Sequence, residues 1–100
     1  MGHAKSAITK ITNRAKKNIP GSSYTRSHGY RHSIAFICLN NKYVYISCDD
    51  DSNRVLVRAA KDEKDFTGGQ NHFAELGSGK YEFDKVLKLI NELIKKETSC

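Results

Sequence analysis

Apolar positions recur at three- and four-residue spacing near both ends of the chain and alternate with polar ones through its middle. Ala4, Ala7, Ile8, Ile11 and Ala15 fall on one stripe at helical pitch, which predicts an amphipathic helix over 4–18. Ser6 is its candidate N-cap. Pro20 removes an amide donor and biases Ile19 away from helical geometry, so the helix ends there and Gly21 completes the break. Residues 20–32 contain no Ala, Val, Ile, Leu or Met and read as a long polar loop.

Three strands follow. The run Ser33 to Leu39 is apolar on both faces, as in a central strand. Asn40-Asn41 signals a turn, and Tyr43 to Cys48 alternates, with Val44, Ile46 and Cys48 opposite Tyr43, Tyr45 and Ser47. After a turn over 49–53, Val55, Val57 and Ala59 alternate with Arg54, Leu56 and Arg58. The segment 61–80 is loop-rich, punctuated by Gly68-Gly69 and Gly77-Ser78-Gly79. Phe66, Phe73 and Leu76 are its expected anchors, and a short fourth strand is expected near 72–76. A full core-facing stripe of Phe83, Val86, Leu87, Ile90, Leu93 and Ile94 predicts a second helix over 82–97. Ser78 or Asp84 is its expected cap, with Lys95-Lys96 matching its C-terminal dipole. The expected fold is α+β and a single domain over 1–100. It consists of an N-terminal helix, a three- to four-stranded antiparallel sheet (33–60) and a C-terminal helix, with both helices packed on one sheet face.

Composition narrows the class. With 38% hydrophobic and 28% charged residues in 100, the chain is ordinary globular material. Its longest apolar run, Ile34 to Leu39, is far too short to span a membrane, and no signal-peptide stretch is evident. Cys38, Cys48 and Cys100 form an odd set without CxxC spacing, which fits a reducing compartment. The expected location is cytoplasmic.

Charge changes the picture more. Residues 1–32 hold seven bases (Lys5, Lys10, Arg14, Lys16, Lys17, Arg26, Arg31) and no acid, whereas 33–100 hold ten bases and eleven acids. The whole net charge of +6 therefore resides in the first third. A one-sided basic segment implies an anionic partner, because folding has no need of such a field. Lys10, Arg14 and Lys17 border one side of the helix stripe, and Lys5 and Lys16 the other. With Tyr24, Arg26 and Arg31, the residues Lys10, Arg14 and Lys17 are the expected contacts to nucleic acid, RNA rather than DNA, or to another polyanion.

Tyr24, Arg26, His28, Tyr30 and His32 are all even-numbered, so an extended segment would present them on one face. That set matches the inventory of a metal-independent ribonuclease toxin. In it His28, His32 and Tyr30 are candidate acid–base groups and arginine stabilises the phosphate. His28-x3-His32 has the spacing of half a zinc site, but no second half accompanies it. Asp49, Asp51 and Asn53 open like a calcium loop that Arg54 and Ala60 then break. No metal or cofactor is expected.

The order helix, three strands, helix resembles the double-stranded-RNA-binding topology, also used by small messenger-RNA-cleaving toxins of the HicA type. Ser27-His28, after a basic helix and before a hairpin, is similar to their Ser-His motif. The resemblance implies RNA as the target. This chain departs from the pattern by a longer loop and about twenty extra residues before the last helix, which leaves the match at the level of topology.

The rival expectation is a non-catalytic inhibitor whose partner is a protein target of a defence or toxin system. Its interface would be an exposed sheet face carrying Tyr43, Tyr45, Arg54 and Arg58, since Tyr and Arg are common binding anchors.

Overall fold

In a computed structural model of the chain, residues 3–65, 70–76 and 83–95 are described. The elements run α1 (His3–Asn18), β1 (Ser23–Gly29), β2 (His32–Leu39), β3 (Lys42–Asp49), β4 (Arg54–Ala60), β5 (His72–Glu75) and α2 (Phe83–Lys95). The strands form one antiparallel meander in the order β1-β2-β3-β4-β5. The fold is α+β, with five strands rather than the three or four expected.

The additional strand is β1, and it replaces most of the expected 20–32 loop. The break after α1 is a tight turn: the Ser22 amide donates to the Ile19 carbonyl at 3.1 Å, and Gly21 adopts φ 85°. Pro at the second and Gly at the third position suit this type II geometry. The chain then enters the sheet at once, and all seven residues of β1 pair in register with β2. The sequence conceals this strand because it lies at the sheet edge and carries Tyr24, Arg26 and His28 where an inner strand carries aliphatics. Periodicity of apolar residues cannot report a strand that buries almost none. The resemblance to a three-stranded RNA-binding topology is corrected accordingly, since β1 and β5 add an edge on each side.

One hydrophobic cluster lies between the helices and one sheet face. Ala4, Ala7, Ile8, Ile11 and Ala15 of α1 meet Ala35, Ile37, Val44 and Ile46, while Val86, Leu87, Ile90 and Ile94 of α2 complete the cluster with Val55, Val57 and Ala74. Both helices therefore cover the same face. Thr12 is buried in the α1 stripe and donates its hydroxyl to the Ile8 carbonyl at 2.8 Å, which makes its burial tolerable.

The helix α1 starts before Ser6, and its cap comes from elsewhere: the Ala4 amide donates to Asp50 Oδ1 at 3.0 Å. Asn40 and Asn41, at φ 52° and 66°, make the predicted turn between β2 and β3. β5 forms where the short fourth strand was expected, but Phe73 does not anchor it. The register places His72 and Ala74 toward the helices and Phe73 toward the open face, where it is 54% exposed with the Arg54 guanidinium 4.6 Å above its ring. Leu76 is buried as expected. Phe66, Ser78, Lys96 and the glycine clusters lie outside the described residues.

Candidate nucleic-acid interface

Three segments meet at one end of the molecule: the first turn of α1, the β1–β2 hairpin tip and the β3–β4 turn. The Asp50 amide donates to the Arg31 carbonyl at 2.8 Å while its carboxylate receives the Ala4 amide. Arg31, at φ 67°, pairs with the Asp51 carboxylate. These contacts frame an open cleft of about 510 Å³ whose walls include Lys5, His28, Tyr30, His32 and Ser33. Tyr30 projects from its rim and is 90% exposed.

The hairpin decides which candidate groups can act together. Gly29 pairs with His32 and His28 with Ser33, so His28 lies on the helix-facing side with Tyr24 and Arg26, and His32 lies on the opposite side with Ile34 and Phe36. The expected single face of Tyr24, Arg26, His28, Tyr30 and His32 is thus divided. An extended chain would have kept the even positions together, and the two-residue reversal at Tyr30-Arg31 swaps their parity. His28 and His32 of the half-site spacing likewise leave opposite faces, and among the described residues no group of three or more His, Cys, Asp or Glu could hold a metal ion.

His28 Nδ1 lies 2.8 Å from Ser33 Oγ. Its pKa is lowered from 6.5, first by partial desolvation and then by the Lys5 and Arg26 charges, so the neutral imidazole is favoured at neutral pH. Lys5 and Ser33 escaped sequence reasoning. Lys5 looked like one of several surface bases, and Ser33 like the polar start of an apolar strand. Only the strand pairing and the docking of α1 bring them to His28.

Along the same flank, Arg26 reaches over the Tyr24 ring, 4.6 Å from its centroid, and donates to Asn13 Oδ1 at 3.1 Å. The Tyr24 hydroxyl donates to the same oxygen at 3.2 Å. Tyr24 and Arg26 are thereby tied to α1 in a fixed arrangement. Arg14 stacks over Phe83 at 5.2 Å, which places its border of the helix, shared with Lys10 and Lys17, toward α2. The expected basic residues therefore occupy two flanks. Lys5, Lys16 and Arg26 line the β1 side, and Lys10, Arg14 and Lys17 the α2 side. Arg31 is held by Asp51. Among the described residues, no carboxylate pairs with Lys5, Lys16, Lys17 or Arg26.

The open sheet face departs from the expected protein interface. Arg58 is only 2% exposed: it lies 4.3 Å over the Tyr45 ring and donates to the Asp65 carbonyl at 3.0 Å, under the segment that follows β4. Tyr45 also packs against Phe36, with centroids 5.1 Å apart. Tyr43 is half-buried, and of the four residues Arg54 alone is exposed.

No protein-family model, curated protein or solved structure matches the chain. No helix among the described residues is long and apolar enough to cross a membrane.

Proposed function

We propose that the chain is a nucleic-acid-binding domain directed at RNA rather than DNA, with the surface of α1 and β1 as its contact. The observation that carries this reading is the absence of any carboxylate from α1, β1 and the turn between them. With no carboxylate paired to Lys5, Lys16, Lys17 or Arg26 among the described residues, their positive field is not cancelled locally. Ser23, Thr25 and Ser27 are exposed on the open side of the same edge strand, where their hydroxyls add donors for sugar and phosphate oxygens. Tyr30 offers a ring to an unstacked base, which favours single-stranded RNA.

The test is fluorescence anisotropy with a labelled single-stranded RNA at increasing NaCl. Four neutralised phosphates lower affinity by about 50-fold between 50 and 200 mM salt, and the pair Lys16→Gln/Arg26→Gln lowers the log–log slope by about 1.4. No binding at 50 mM NaCl, or binding indifferent to salt, overturns the reading.

One observation favours a second reading, the non-catalytic inhibitor acting through its open sheet face. Phe73 is a large exposed apolar ring with a cation stacked on it. A stoichiometric complex with one protein, resistant to nuclease and lost in Phe73→Asp, is its signature.

A further inference from the structure

We infer that the cleft between the first turn of α1 and the β1–β2 hairpin cleaves RNA, with His28 as the proton acceptor and Lys5 as the cation at the phosphate. This inference rests on the RNA-binding reading and adds chemistry to it. His28 and His32 leave opposite faces of the sheet although both line this cleft, and α1 brings Lys5 to the same side as His28.

Geometry orients the imidazole. Ser33 is buried, and its Oγ holds His28 Nδ1 at 2.8 Å. When Nδ1 carries the proton and donates it to Ser33, Nε2 keeps its lone pair for the cleft. The groups around His28 come from every neighbouring element: Lys5 from α1, Arg26 on β1, Tyr30 and Arg31 at the hairpin tip, His32 and Ser33 on β2, and Asp50 and Asp51 from the β3–β4 turn. Both carboxylates are already engaged, Asp50 by the Ala4 amide and Asp51 by Arg31. Partial desolvation and the Lys5 and Arg26 charges keep the ring neutral and able to accept a proton.

The reaction is an internal transesterification. His28 Nε2 takes the 2′-hydroxyl proton, the 2′-oxygen forms a bond to phosphorus, and the bond from phosphorus to the 5′-oxygen breaks. The departing oxygen takes a proton from the Lys5 ammonium, which recovers one from His28 through solvent. The net change is transfer of one proton from the 2′- to the 5′-oxygen. The products are a 2′,3′-cyclic phosphate and a 5′-hydroxyl, and no co-reactant is consumed. DNA lacks the nucleophile. Placing a general base at the reacting oxygen contributes about 10²- to 10⁴-fold in rate.

The test incubates the full chain with a labelled RNA oligonucleotide in EDTA, with anisotropy measured in parallel. The expected result is cleavage to a cyclic phosphate, blocked by a single 2′-deoxy substitution at the scissile residue. His28→Gln, purified identically, cleaves about 10²-fold or more slowly and binds RNA within about threefold of wild type. Lys5→Gln slows cleavage and moves the acid limb of the pH–rate profile up toward 6.5, the ordinary histidine value, whereas Lys5→Arg, which keeps the charge and the bulk, leaves that limb in place. RNA bound but left intact, or cleaved equally by His28→Gln, overturns the inference and leaves the binding reading standing. Absence of RNA binding overturns both.

Discussion

Two side chains show how a few ångströms of surroundings change ordinary chemistry. Cys48 is buried in the core between the sheet and α1, and burial, helped by Asp49 and Asp50, pushes its thiol up to about 11 from 9.0. The thiolate is the reactive form, so at pH 8 Cys48 resists alkylation and the half-buried Cys38 reacts faster than it does. Iodoacetamide labelling followed by peptide mass spectrometry checks this, and equal rates would contradict it. His28 is perturbed in the opposite sense. Its folded pKa lies below 6.5, so the unfolded chain binds the proton more readily. The contribution of this group to stability is therefore undiminished above about pH 6.5 and falls as pH drops through that value toward the folded pKa. An NMR titration should place the His28 midpoint below 6.5, and Lys5→Gln should raise it.

At the scale of elements, helix periodicity was legible because α1 and α2 each bury one stripe, and the predicted apolar positions are the buried ones apart from the half-buried Leu93. β2, β3 and β4 were legible for the same reason, from their alternating or fully apolar runs. β1 was not. Its seven residues are all exposed or half-buried, and it is a strand because β2 offers it a hydrogen-bonding edge. What delivers the chain to that edge is the turn at Pro20-Gly21. Gly21 at φ 85° has room for a Cβ, whose nearest neighbour would be Leu39 Cδ1 at 3.6 Å, so the cost of a side chain is conformational. Gly21→Ala is expected to destabilise by about 1–2 kcal/mol, a melting-point drop of roughly 4–15 °C for a domain of this size. Gly21→Asn should cost less, since asparagine tolerates this region. Equal melting temperatures for Gly21→Ala and wild type would contradict the turn.

Across the whole molecule, one corner is held together by a single acidic turn. Asp50 caps α1, forty-six residues earlier in the chain, and tethers Arg31 through its backbone. Asp50→Ala should cost about 0.5–2 kcal/mol in chemical denaturation, the usual loss for a cap. It should also loosen the Lys5–His28 cleft, visible as faster amide exchange at Ala4 and Arg31. Ile46→Ala, at the centre of the cluster, should cost about 2–5 kcal/mol without altering the charged surface, so RNA affinity of the folded fraction should stay unchanged.

Some properties of this protein follow from the order of its residues alone. The two amphipathic helices, the three inner strands and the acid-free first third are written in short-range pattern, because burial of a stripe requires a fixed period and charge is counted without folding. Which groups meet could only be decided by the tertiary structure. The two-residue reversal at Tyr30-Arg31 sends His28 and His32 to opposite sheet faces, and the docking of α1 on the sheet carries Lys5 to the cleft of His28 across 23 positions. Proximity of that kind depends on strand register and helix placement, which sum weak contacts over the whole chain and leave no local mark in it.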